Sequence, residues 1–202
     1  MTDPAPYLTS AEVRARVSVG GPRLDPGKFP DGWVERQVSI FERKLERHTR
    51  DAYVERTATV TLTGGNSTTL ILPNVNVSDV TVTVDGTAVT LDEHQPRLAL
   101  GLVAYSGGFR TGQTVVASYT YQQPDQTLCE IAYEACVKWI ERVAQMDRSG
   151  STPDVSRVGF EGGGSTVYVQ PDPNADPPRL TGFREVDDLV NILPRYTIPG
   201  VG

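Results

Sequence analysis

The spacing of apolar residues changes several times along the chain, and each change marks an element. Residues 1–9 are polar and carry prolines, so they read as an arm. Thr9-Ser10-Ala11-Glu12 fits a capping box, in which the Thr hydroxyl and the Glu carboxylate each take up a backbone N–H. A short helix from Ser10 to Val19 is predicted, stopped by Gly20-Gly21-Pro22. From Trp33 to Asp51, with Asp31 as N-cap, a long amphipathic helix follows. Val34, Val38, Phe41, Leu45, His48 and Ala52 recur at intervals of four and three and share one stripe. The other faces carry Glu35, Arg36, Glu42, Arg43, Lys44, Glu46, Arg47 and Arg50. Such a mixed-charge face is either solvated or presented to a neighbouring subunit.

The period then switches to two. In Thr57–Thr63, Ala58, Val60 and Leu62 alternate with four threonines, the pattern of a half-buried strand rich in β-branched residues. Gly64-Gly65-Asn66-Ser67 is a turn, and Thr68–Leu72 is a second strand closed by Pro73. Val80, Val82 and Val84 alternate with Thr81 and Thr83. Asp85-Gly86 then joins this strand to Thr87–Leu91, a strong hairpin signal. Leu98–Tyr105 and Gln113–Tyr121 are predicted as two more strands around Ser106-Gly107-Gly108. So many strands with no helix among them describe a small antiparallel sandwich or barrel.

Helical spacing returns after Pro124. Thr127-Leu128-Cys129-Glu130 fits a second capping box, with Asp125 as a rival cap. Leu128, Ile131, Ala132, Ala135, Trp139, Val143 and Met146 form the apolar stripe of a helix ending near Gly150. Val155–Phe160 and Ser165–Gln170 flank Gly162-Gly163-Gly164 as a hairpin, and residues 171–178 form a proline-rich acidic linker. A short helix spans Phe183–Leu193 through Val186, Leu189, Val190 and Leu193, and an extended tail follows Pro194. The fold class is therefore α+β. It is a helical platform of two long amphipathic helices with an inserted β-sandwich or barrel, plus a C-terminal hairpin and an extended arm. The expected divisions are 1–52 (arm and helices), 53–122 (inserted β module), 123–150 (the completing long helix) and 151–202 (hairpin, linker, short helix and tail).

Composition narrows the function. Over 202 residues the net charge is −6, which is not the clustered basic charge that bulk nucleic-acid binding needs. No apolar run approaches the ~18 residues of a membrane span. The N-terminal Met1-Thr2-Asp3-Pro4 lacks a signal-peptide layout, so a soluble protein folded in a cytoplasm, with no membrane partner, is expected. Cys129 and Cys136 lie seven residues apart on a predicted helix, a rise of ~10.5 Å. A disulfide tolerates at most ~7 Å between Cα atoms, so these read as buried thiols.

The search for chemistry is mostly negative. His48 falls on the helix stripe, and His94 sits in Asp92-Glu93-His94-Gln95 without metal-ligand spacing or a nearby cysteine. Gly162-Gly163-Gly164-Ser165-Thr166 lacks the lysine and the following helix of a phosphate loop. Asp187-Asp188 reads as part of a solvated helix face. No catalytic, metal or cofactor residues are assigned, and the chain is not expected to be an enzyme. Tyr105, Tyr119 and Tyr121 in the threonine-rich strands leave a carbohydrate-binding module as the alternative, although ordinary strand residues explain them as well.

The order of these parts resembles the head-to-tail adaptor (connector) proteins of tailed bacteriophages, particularly long-tailed phages of actinobacteria. The resemblance runs from Tyr7-Leu8-Thr9-Ser10-Ala11-Glu12-Val13 through Phe41-Glu42-Arg43 and Thr49-Arg50-Asp51. It continues with Leu70-Ile71-Leu72-Pro73, Val80-Thr81-Val82-Thr83-Val84-Asp85-Gly86 and the helix from Glu130 to Val143. It closes on Leu193-Pro194-Arg195-Tyr196-Thr197-Ile198-Pro199.

The resemblance implies a structural virion protein. Copies, typically twelve, would form a ring beneath the portal, continue the DNA channel without sequence-specific binding, and meet a downstream stopper or tail protein. It also implies portal docking through the C-terminal segment, with Tyr196, Ile198 and Pro199 as anchors and Arg195 as a charged contact. The expected location is the virion neck, with assembly in the host cytoplasm. Another neck or tail-completion protein is the related alternative.

Overall fold

The computed structural model describes residues 6–17, 24–93, 95, 97–149, 157–159, 165–167 and 180–195. It comprises two compact units. One is built chiefly from Thr49–Pro124 and the other from Ala5–His48 together with Asp125–Pro194. The first is an antiparallel β unit and the second is helical, so the fold is α+β.

In the helical unit, α1 (Ser10–Arg16) opens with the expected capping box. The Thr9 hydroxyl accepts the Glu12 N–H at 3.3 Å, and the Glu12 carboxylate accepts the Thr9 N–H at 2.8 Å. The helix ends earlier than Val19 because Val17 turns extended, at ψ 132°. The end of the N-terminal arm packs onto the helical unit. Tyr7 and Leu8 are buried, and the Tyr7 N–H donates to the Glu42 carboxylate. That contact explains why Glu42, assigned by periodicity to a charged outer face, is buried instead.

The long helix α2 spans Asp31–Thr49, two residues earlier at each end than predicted. Its first carbonyl comes from Pro30, which accepts the N–H groups of Trp33 and Val34. Asp31 thus sits inside the first turn, where its carboxylate meets Arg14 at 2.9 Å. The helix stops where Arg50 adopts φ 62°, a left-handed conformation that cannot continue an α-helix. Val34, Val38, Phe41 and Leu45 are fully buried, as the stripe predicts, and His48 is half-buried.

The second long helix, α3, spans Gln126–Ser149. Asp125, the rival cap, starts it: its carboxylate accepts the Thr127 N–H at 2.8 Å. The buried stripe is rotated from the expected one. Cys129, Ala132, Ala135, Cys136, Trp139, Ile140 and Ala144 are buried, whereas Leu128, Ile131, Val143 and Met146 are only half-buried. Both cysteines are free and buried, and burial pushes the Cys136 thiol pKa well up.

The predicted C-terminal helix is shorter than expected. It forms α4 (Arg184–Val190), with Val186, Val190 and Leu193 buried. Trp139 joins three helices. Its ring lies 6.3 Å from Phe41, 5.7 Å edge-on from Phe183, and 5.0 Å below the Lys44 ammonium. Arg142 of α3 pairs with Glu185 of α4.

Two short strands, β7 (Arg157–Gly159) and β8 (Ser165–Val167), pair antiparallel on either side of the glycines, which is the predicted hairpin. Gly162-Gly163-Gly164 and residues 171–178 lie outside the described residues.

The β unit contains β1 (Arg56–Thr63), β2 (Ser67–Ile71), β3 (Val77–Val84), β4 (Thr87–Val89), β5 (Leu102–Phe109) and β6 (Thr114–Tyr121). A four-stranded sheet runs β1-β6-β3-β4, and β2 and β5 make a second sheet. Leu70 and Leu72 at the β2 end, Val82 and Val84 of β3, Val103 and Phe109 of β5, and Val115 and Ala117 of β6 share one core between the sheets. The insert is therefore a small sandwich.

Asp85 and Gly86 both have positive φ, 49° and 81°, as a tight twisted hairpin requires. Leu98–Leu100, predicted as strand, is a single 3₁₀ turn closed by Gly101 at φ 72°. A side chain at Gly101 would run into the Asn74 carbonyl. Ser106-Gly107-Gly108, predicted as a chain reversal, is instead a bulge within β5. Ser67 pairs with Phe109 and Thr69 with Ala104, so residues 105–108 face Thr68 alone. Gly107 leaves room for the Tyr105 ring, and the reversal comes later, at Arg110–Gln113.

Candidate functional site

The sequence-assigned contact residues are divided by the structure. Arg195 is exposed at the end of the described chain, while Tyr196, Ile198 and Pro199 lie outside the described residues. Just before them, Ile192 is 58% exposed, the most exposed large apolar side chain described. It lies two residues beyond α4, and α4 is well fixed: Phe183 packs on Trp139, and Glu185 pairs with Arg142. A seven-residue helix has little stability alone, so this packing holds the point from which the tail leaves.

Asp187 departs most from the sequence reading. It is buried, not part of a solvated pair, while Asp188 is exposed. Its carboxylate accepts the Thr181 N–H at 2.8 Å, the Thr181 hydroxyl at 2.9 Å and the Gly182 N–H at 3.1 Å. Desolvation raises its pKa against those hydrogen bonds. The role is structural: one carboxylate ties the loop before α4 to the helix. Burial likewise lowers the pKa of Lys44, and the Asp187 charge opposes that shift.

A second buried carboxylate organises the β unit. Asp51 is fully buried and accepts from Asn76 Nδ2 at 2.6 Å, Gln123 Nε2 at 2.9 Å and the Ala52 N–H at 2.9 Å. The Gln123 N–H donates to the Ala52 carbonyl at 2.7 Å, so the two chain ends of the unit are stapled together. Arg50 adds bonds to the Leu72 and Pro73 carbonyls, both at 2.8 Å. Periodicity could not reveal this node, because it is assembled from residues distant in sequence.

His94 lies outside the described residues, and His48 sits on the inner stripe of α2. Among the described residues no group of three or more His, Cys, Asp or Glu side chains could hold a metal ion. No described helix is long and apolar enough to cross a membrane. Ser165–Val167, after the glycines, is strand and not helix.

The three tyrosines pack against the β core. Tyr119 is buried and donates its hydroxyl to Asn74 at 2.7 Å; burial pushes its pKa up to about 12. Tyr105 and Tyr121 are partly buried beside it in the same core. The opposite sheet face carries hydroxyls. Thr59 bonds Ser118 at 2.9 Å, and Ser78 bonds Thr120 at 2.5 Å. Those hydroxyls bond one another across the strands.

No protein-family model and no curated protein matches the sequence. Solved structures do match. A chain from the virion of a native gene transfer agent particle aligns over 99% of this chain and 97% of its own, with a TM-score of 0.58 and 17% identity. A chain from the neck of an empty gene transfer agent particle, computed with C6 symmetry, aligns over 98% and 96%, with a TM-score of 0.56 and 13% identity. At these identities the shared property is the fold, aligned over 98–99% of this chain.

Proposed function

We propose that the chain is a structural protein of the neck of a tailed-phage-like particle, acting as the head-to-tail adaptor. The observation that carries this reading is the coincidence of two independent routes. The order of sequence parts resembles phage adaptors, and the whole fold aligns with virion and neck chains over nearly its full length. A shared domain of common type would align over part of a chain; here both chains are almost fully covered.

In this reading twelve copies form a ring beneath the portal, and double-stranded DNA passes through it without sequence-specific contact. Twelve copies fit the six-fold symmetry of the neck noted above as two per repeat. The segment after α4 docks on the portal, with Arg195, Tyr196, Ile198 and Pro199 as anchors and Ile192 beginning the apolar run. The opposite end of the ring meets a stopper or tail protein. Assembly takes place in the host cytoplasm, and no catalytic step is involved.

Removal of the chain from particle assembly tests the reading. The expected products are DNA-filled or DNA-leaking heads and separate tails, with joining restored when the purified chain is added back. Complete, tailed particles formed without it would overturn the proposal.

A further inference from the structure

The outward face of α2 carries an unmatched basic stripe. Arg36, Ile40, Arg43 and Arg47 follow at intervals of four, three and four, on the side of the helix away from buried Val34, Val38 and Leu45. The stripe is ~16 Å long at the α-helical rise. All three arginines are exposed, and none has a carboxylate partner among the described residues. Among the described residues Arg43 bonds within its own helix, to the Ser39 carbonyl and hydroxyl, both at 3.2 Å. Half-buried Ile40 lies among the guanidinium groups, an apolar centre with a charged rim.

A complementary face exists on α3. Glu134 is exposed without a carboxylate-bound cation among the described residues, and Ile131 beside it is half-buried. Glu130, one turn earlier, shares its charge with Arg16 at 2.8 Å and remains half exposed. Ile131, which helical spacing assigned to the core, therefore borders Glu134 on the acidic side.

We propose that the Arg36–Arg43–Arg47 face of one copy docks on the Glu130–Glu134 face of α3 in the next copy. The inference rests on the adaptor reading, which requires repeated copies, and adds the contact by which they close. Charge selects this partner. Setting the three arginine charges aside from the net −6 leaves −9 over the rest of each copy, so another copy attracts the stripe on average. Stripe against stripe would bring six guanidinium groups together, so the stripe meets a different face of the next copy, and a ring closes by repeating that contact head to tail. Single exposed ion pairs contribute little, so the two isoleucines supply the desolvated centre while the charges set register.

The test is cysteine cross-linking in assembled particles. The native Cys129 and Cys136 are buried, so introduced thiols react selectively. Cysteines placed singly at 36, 43 or 47 are combined in the same chain with cysteines at 130 or 134. After mild oxidation, at least one combination, such as R43C/E134C, is expected to give a ladder of covalent multimers that neither single variant gives. Independently, R43E/R47E should lower incorporation at least tenfold, and adding E130R/E134R should restore it.

Particles that contain the chain but give no ladder with any combination overturn the inference and leave the adaptor reading standing. The same holds if the reversed arginines alter only DNA retention, without rescue by E130R/E134R. That result would assign the stripe to phosphate. Absence of the wild-type chain from particles overturns both.

Discussion

At the scale of single residues, buried carboxylates hold this chain together by gathering N–H groups. Asp51, Asp187 and Glu42 each accept a backbone N–H in a buried setting. None was legible in the sequence, because an acid on an amphipathic helix reads as its solvent face. Thr9 and Glu12 were legible, since their partners are local and the capping box has a fixed spacing.

The two kinds of acid respond oppositely to pH. Desolvation raises the Asp187 pKa above 3.8, so the folded state binds this proton at higher pH than the unfolded state does. Its contribution to stability therefore rises as pH falls from above the folded pKa towards 3.8. Glu185, held low by its bond from Arg142, behaves the other way. Its contribution is present above 4.5 and is lost as pH falls through its lowered pKa. In urea titrations of D187N and the wild type, the stability difference in favour of the wild type should widen on acidification through this window. A difference that narrows would show that hydrogen bonding outweighs desolvation at Asp187.

At the scale of elements, legibility followed the range of the interactions. The Asp85-Gly86 hairpin and the period-two strands were visible because neighbours along the chain determine them. Ser106-Gly107-Gly108 misled because glycines mark both reversals and bulges. The choice was made by the pairing of β5 with β2 and by the Tyr105 ring over Gly107. The rotated face of α3 has a similar origin: small residues such as Cys136 and Ala132 permit close packing, which a count of large apolar side chains overlooks.

Trp139 is the joint of the helical unit, in contact with Phe41, Lys44 and Phe183. W139A should cost about 3–5 kcal/mol, the range for truncating a large buried aromatic. Hydrogen exchange should show α4 losing protection first, because Phe183 loses its partner. Unchanged protection across α4 would mean that Asp187 and the Arg142 pair hold it without Trp139.

At the scale of the whole molecule, the α+β class and the interrupted helical frame were legible, because changes of period survive without any distant contact. The outward surfaces were only partly so. Mixed charge on α2 was visible in the sequence. The burial of Glu42 and exposure of Arg36, Arg43 and Arg47 required the fold, and together they turn a mixed face into a basic one. The likeness to the two particle chains extends over nearly the whole chain and is a likeness of fold.

Electron cryo-microscopy of the neck, in intact particles that carry this chain, tests that account most directly. The predicted result is a ring of copies between head and tail, each with a two-helix frame and a β-sandwich, and with the segment after α4 seated on the portal. A neck fully explained by other proteins, with this chain absent or present as a single copy elsewhere, would contradict it.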